Sequence, residues 1–177
     1  MHHHPDWAAV PDWKDVGAHK KFMSDPSYGP FVKHMSSILD DTPAVVMYHV
    51  EFKTRADSVA VETASSVLRS SPGATEVIHF YIDPSSDLQG FEDAFWKFAT
   101  EAVEKADGFV STAGGWIEEG LEHEKAGGEA KGYFVMIGWQ SVEKHMEFRE
   151  SEAFKGVKAL QKHVKYREAA HVKFIAK

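Results

Sequence analysis

An α+β fold, with one antiparallel sheet backed by helices on a single face, is predicted by three observations. Residues 75–177 read as strand, helix, strand, strand, helix, strand; a set of aromatic residues recurs at a constant offset; and the 177-residue chain has the composition of a globular protein, 43% hydrophobic and 12% aromatic. The first strand, Thr75 to Asp83, is rich in β-branched and aromatic residues and lies between the breakers Ser71-Pro72-Gly73 and Asp83-Pro84-Ser85. From Leu88 to Ala106 the apolar positions Leu88, Phe91, Phe95, Phe98, Ala102 and Ala106 step by three or four, as a helix requires, with Ser86 or Asp87 as N-cap and Asp107-Gly108 as stop. Phe109–Ile117 and Lys131–Trp139 form a long hairpin around the acidic, glycine-containing loop 118–128. Ser141 caps a short helix containing His145. Ala153, Val157, Leu160 and Val164 mark a further helix before a last strand, Ala169–Ile175. This βαββαβ order is the ferredoxin-like arrangement, in which the first and last strands pair.

Both faces of the first strand carry large apolar groups: Ile78, Phe80 and Ile82 in one row with Glu76, and Val77 and Tyr81 in the other with His79. Helices cover one face, so the other needs a cover, and a second sheet from another copy of the chain is the economical expectation.

The repeat aligns Trp13 with Trp139, His19 with His145, Phe22 with Phe148 and Tyr28 with Phe154, all at an offset of 126 residues; Tyr48–Phe52 then echoes Ala170–Phe174 at an offset of 122. Only the second copy is complete. Residues 1–53 read as an N-terminal half-repeat (β-α-β), with a broken strand over Pro5–Trp13 and a helix over Val16–Met23 capped by Asp15. Residues 54–74 read as a connector with a helix over Val59–Leu68, and 75–177 as the full unit.

The balance of 27 acidic against 20 basic side chains, a net charge of −7, disfavours nucleic acid and anionic membrane as partners, because phosphate binding needs clustered Lys and Arg. No apolar run spans a bilayer and the N-terminus lacks an apolar secretory segment, so a cytoplasmic location is expected. The absence of Cys removes disulfides and thiolate metal sites, and the absence of Asn removes N-glycosylation and any Asn ligand. Glu119 and His123 are four apart but lie in a loop with Gly120, Gly127 and Gly128, weak grounds for zinc. His2–His4 read as a leader or tag remnant, and no metal is expected.

The segment G-W-Q-S-V-E-K-H-M-E-F-R-E-S-E-A-F at Gly138–Phe154, the opening strand T-E-V-I-H-F-Y-I-D and the closing H-V-K-F resemble the antibiotic biosynthesis monooxygenase domain of the dimeric α/β-barrel superfamily. The resemblance covers residues 75–177, with a partial match over 5–53. It implies a homodimer joined through the sheet faces, a ligand cavity between sheet and helices, and cofactor-independent oxygenation of an apolar aromatic or polyketide-type molecule. Polyketide cyclases and non-catalytic stress or binding proteins share the fold. It also implies a pocket role for Trp139, which otherwise anchors the helix that follows it. Haem degradation is not expected, since its Asn is missing and Lys155-Gly156-Val157-Lys158 replaces the histidine stretch.

Candidate bases are His145, on the first turns of its helix; His79 and His171, expected side by side on paired strands next to Tyr81; and Glu76, a carboxylate whose burial would raise its pKa. Each has a purely architectural alternative, as interface, capping, packing or edge residue. Phe80, Phe91, Phe95, Tyr133 and Phe148 are the expected cavity walls.

Overall fold

In the computed structural model, the residues described are 11, 13–37, 47–53, 67 and 73–173; the expected strand over 5–13 and connector helix over 59–68 lie essentially outside them. The chain divides into two compact units, Met1–Met47 and Tyr48–Lys177.

The first unit carries α1 (Val16–Met23) and α2 (Tyr28–Ser36). Helix α1 starts where expected because the Asp15 carboxylate accepts from the Ala18 N–H at 2.7 Å, satisfying one of the orphan donors of a helix start. His19 stacks on Trp13 with centroids 4.6 Å apart at 18°, and Phe22 packs on Trp13 at 5.5 Å and 32°.

The second unit is a five-stranded antiparallel sheet of β1 (Val50–Lys53), β2 (Ala74–Ile82), β3 (Phe109–His123), β4 (Gly128–Trp139) and β5 (Val164–Val172), in the order β1-β3-β4-β2-β5. Without β1 this is the ferredoxin-like order, and β2 pairs with β5 as expected. β1, the segment that echoes the end of the chain, adds to the far edge by pairing with β3 from Val50↔Ile117 to Lys53↔Gly114. Helices α3 (Leu88–Glu101), α4 (Val142–Glu150) and the single turn α5 (Lys158–Gln161) complete the unit. The cap of α4 repeats that of α1: Ser141 Oγ accepts from the Lys144 N–H, 126 residues after Asp15 and Ala18. The ring geometry repeats as well, with Trp139–His145 at 5.0 Å and 18°, and Trp139–Phe148 at 5.5 Å and 32°.

Several boundaries differ from the expected ones. Helix α3 stops at Glu101 rather than Ala106, and Val103–Lys105 continue as a 3-10 turn after Ala102 leaves helical geometry. The hairpin strands run on to His123 and from Gly128, so the predicted loop shrinks to a 3-10 turn closed by Gly127 and Gly128 at positive φ. The last strand begins at Val164, which pairs with Ile82, because tertiary pairing with β2 overrides the helical spacing that placed Val164 in a helix. The expected second helix is a 3-10 segment, Ala153–Val157, followed by α5.

The main core lies between sheet and helices. Ile78, Phe80 and Ile82 of β2 and Tyr133, Val135 and Ile137 of β4 pack with Phe91 and Phe95 of α3, all under a tenth exposed. Burying such side chains contributes roughly 2 kcal/mol each. On the opposite face Ala113, Ile117, Phe134 and Met136 are buried together with Val67, so the expected bare face is covered by its own chain on the β3–β4 side. Towards β5 it is polar: Tyr81 donates to Glu168, His123 contacts Glu168 at 3.3 Å, and His123 stacks on Tyr166.

Strand β1 needs Gly115 opposite it, because a Cβ there would lie 2.1 Å from the Glu51 carbonyl oxygen. Gly115→Ala is expected to lower stability by about 1–3 kcal/mol in urea melts. Gly120→Ala, in the same strand with nothing within 4 Å of the added carbon, is expected to leave the melt unchanged; equal effects would show that the β1 contact is not what the glycine protects.

Candidate functional site

Three candidate bases come together at one end of β2. Glu76 pairs directly with His171 across the β2–β5 ladder, so both side chains leave the sheet on the helix side. His145, near the start of α4, reaches the same point: its Nε2 lies 3.2 Å from Glu76 Oε2 and its Nδ1 2.6 Å from His171 Nε2. His145 is buried at 3% exposure, Glu76 is nearly so, and His171 is exposed, so the chain of groups runs from the interior to solvent.

The surroundings set the charge states. Burial raises the Glu76 carboxyl to about 7, against the opposing pull of Arg149, Arg167 and the Trp139 indole. That indole N–H approaches the carboxylate without a regular hydrogen bond. Burial, helped by His171 and Arg149, lowers His145 to about 4, and burial with Arg149 lowers His171. An ordinary ion pair would shift Glu76 and His145 the other way, so near neutral pH this is a pair of imidazoles beside a titrating carboxyl.

That composition permits a consistent proton arrangement. With Glu76 ionised it can only accept, so His145 donates from Nε2 and accepts at Nδ1 from His171 Nε2–H, leaving a lone pair on His171 Nδ1. A proton taken at His171 Nδ1 can be passed to Glu76 by reversing both tautomers, and neither ring has to become a stable imidazolium. Such an arrangement can carry a proton between an exposed imidazole and a buried carboxyl.

Trp139 is completely buried and stacks on His145, so it anchors α4 and orients the imidazole instead of facing an open pocket. The expected cluster of His79, His171 and Tyr81 does not form. His79 faces Glu168 in the register three residues from Glu76, and the period of two sends it to the other side of the sheet, where it contacts Tyr48 and Phe134. Tyr81 lies on that side too, and burial together with Glu168 raises its hydroxyl pKa. Phe91, Phe95 and Tyr133 are buried in the packed core between sheet and helices. Phe80 borders a cavity of about 310 Å³ with Val157, Leu160, Val164 and Arg167, and Phe148 borders another of about 300 Å³ beneath α4.

Glu119 and His123 do not meet. Glu119 binds His49 through Nδ1 at 2.5 Å and the backbone N–H at 2.8 Å, while His123 turns to Glu168. Among the described residues no cluster of three His, Cys, Asp or Glu could hold a metal, and no helix is long and apolar enough to cross a membrane.

Sequence reasoning passed over Arg149 and Arg167. The available signals were periodicities: Arg149 is one helical turn from His145, and Arg167 is four strand residues from His171, on the same face. Also missed was Glu92 on α3, a buried carboxylate that accepts from Lys53 Nζ at 2.9 Å and Trp116 Nε1 at 3.3 Å.

A carboxyl whose folded pKa lies above its ordinary value binds extra protons in the native state, so its contribution to stability falls as pH rises between about 4.5 and 7. Glu76→Gln removes that loss. The variant should gain on the wild type between pH 5 and pH 8 by on the order of 1–3 kcal/mol in thermal melts, the opposing trend from His145 being common to both proteins. Parallel curves would show that Glu76 does not titrate in this range.

No family model matches the sequence and no curated protein is similar to it. Solved structures are. A Lactobacillus acidophilus protein assigned as a monooxygenase is 14% identical, with a TM-score of 0.52 over 90% of this chain and 65% of its own. A variant of SnoaB, a cofactor-independent oxygenase from Streptomyces nogalater, is 16% identical, covering 59% of this chain and 94% of its own at a TM-score of 0.45. An antibiotic biosynthesis monooxygenase assignment from Bordetella bronchiseptica gives 17%, 58%, 97% and 0.45 for the same quantities. A dimeric protein of ferredoxin-like fold from Bacteroides fragilis is 10% identical, at a TM-score of 0.41 over 57% of this chain and 95% of its own. By its strand order the βαββαβ unit of this chain is thus a ferredoxin-like fold, and the Lactobacillus acidophilus structure is similar to the chain in fold.

Proposed function

We propose that the chain is a cofactor-independent monooxygenase-like enzyme acting on an apolar aromatic or polyketide-type molecule with an acidic C–H or O–H. The observation that carries this reading is the Glu76–His145–His171 chain, which joins a buried carboxyl of pKa about 7 to an exposed imidazole. His171 Nδ1 takes the proton, His145 passes it on, Glu76 stores it, and Trp139 holds the ring of His145. The substrate carbanion or enolate then reacts with dioxygen, one oxygen atom entering the product as a carbonyl and the other leaving as water, with no cofactor needed to form the anion. A cyclase would use the same enolate without oxygen.

The packed helix–sheet core supports a second reading, a non-catalytic binding protein of the same fold, since Phe91, Tyr133 and Val135 leave no room among themselves. Oxygen consumption with anthrone-type substrates, without added metal or flavin, separates the two. The oxygenase reading expects a rate that rises with pH around 7, falls at least tenfold in His171→Ala and His145→Ala, and survives His79→Ala on the other side of the sheet. No uptake above the uncatalysed rate supports the binding protein.

The matching ring and cap geometry of α1 and α4 supports residues 1–53 as a half-repeat of the unit formed by 75–177. A homodimer is proposed through the β5 side of the sheet face, where Tyr166, Ala170 and Val172 are not buried. Light scattering at micromolar concentration should return twice the chain mass; a monomer overturns that assembly.

A further inference from the structure

The aromatic cluster of the first unit matches that of the second ring for ring. Phe22 and Tyr28 stand edge to face at 5.4 Å and 87°, and their counterparts Phe148 and Phe154 stand at 5.6 Å and 85°. A third ring closes each group. In the second unit it is Phe98 of α3, 6.3 Å from both Phe148 and Phe154. In the first it is Phe31 of α2, 5.5 Å from Phe22 and 6.4 Å from Tyr28.

The two groups differ in their cover. Over the second lies an amphipathic helix, α3, whose Phe91, Phe95 and Phe98 step by three or four, and Phe148 beneath it is 7% exposed. The repeat matches residues 13–52 to the later half of the unit, 139–174, and α3 is not in that half. Phe31 is 46% exposed; Val32, next on α2, is 40% exposed, and Met23, next after Phe22 on α1, is 39% exposed. Three large apolar side chains around one ring group form a patch of the kind that marks an interaction surface.

Charge says what kind of cover fits. Residues 13–37 carry Lys14, Lys20, Lys21 and Lys33 against Asp15 and Asp25. Both carboxylates are engaged: Asp15 caps α1, and Asp25 accepts from the N–H and the hydroxyl of Ser27. Lys20 and Lys21 lie in the last turn of α1 and Lys33 in the last turn of α2. A chain of net charge −7 thus has a locally basic segment around its exposed apolar patch. The complement is acidic, as α3 with its flanks is: Ser86–Asp107 holds six acidic side chains against two basic ones.

We propose that this face of the first unit binds an acidic amphipathic helix of a partner protein. The helix packs an aromatic stripe on Phe31, Val32 and Met23 and does for the first unit what α3 does for the second. Side chains three and four apart anchor on the apolar patch, and carboxylates on the flanks of the stripe meet the lysines. This site depends on the matched rings of the two units, and not on the oxygenase chemistry at the Glu76 end of β2.

A synthetic peptide with the sequence of Ser86–Asp107 tests this. Fluorescence anisotropy of the labelled peptide with the full chain should show saturable binding, and circular dichroism should show helix gained on mixing. Phe31→Ser should weaken binding about tenfold and Val32→Ser by a smaller factor. Both change exposed side chains, and an unaltered thermal melt checks that each variant is folded. Lys20→Glu combined with Lys21→Glu should weaken binding severalfold, an effect that fades in about 0.5 M salt. A peptide carrying Phe91→Gln, Phe95→Gln and Phe98→Gln keeps every charge and should not bind. Met146→Ser, at an exposed apolar position on α4 of the second unit, should leave the affinity unchanged. No binding, equal binding of the glutamine peptide, or affinity that survives Phe31→Ser and Val32→Ser together would overturn the proposal. Vesicles of phosphatidylcholine and phosphatidylglycerol are the rival surface: capture by them that needs Phe31, with no peptide binding, would assign the face to lipid and overturn the helix.

Discussion

The pairing of Glu76 with His171 across β2 and β5 is the constraint from which the rest of the site follows. β2 lies inside the sheet with a neighbour on each side, so its register is held by two ladders and by the burial of both of its faces. A slip of one residue would carry Ile78, Phe80 and Ile82 out of the helix-side core and turn Glu76 away from His145. The hydrophobic row thus holds the carboxylate where water is scarce, and the same burial raises its pKa. Stability and chemistry share one geometric cause.

The α4 segment shows the same economy. Trp139 ends β4 fully buried, Ser141 caps the next helix two residues on, and His145 lies one turn further, stacked on the indole. Each step is short and stiff, so the imidazole is placed with little freedom to lose. The first unit contains the same sequence of parts, with Asp15 in place of Ser141 and His19 on Trp13. One local design therefore occurs twice in the chain, cap and ring stack together.

The face of the sheet away from the helices is divided. Its β3–β4 half is apolar and covered within the chain by residues including Val67; its β5 half is a network of Tyr81, His123, Tyr166 and Glu168. A face with polar groups already partnered makes a weaker demand for an apolar mate than an open hydrophobic sheet does.

The order of elements, the cap of α1, the central strand and its two rows were legible in the amino-acid sequence, because breakers, caps and periods of two and 3.6 are local properties of the chain. So was the membership of Glu76, His145 and His171 in a list of candidates, from residue type and position alone. Which of them meet was decided by tertiary structure. The ladder register put His171 opposite Glu76 and His79 on the other side, and the approach of α4 brought in His145; these are contacts between residues 26 to 95 positions apart, which no local pattern encodes. The start of β5 at Val164 and the filling of the core by Phe91, Phe95 and Tyr133 were settled the same way, since helix spacing and aromatic content describe a segment, whereas pairing and packing describe what it meets.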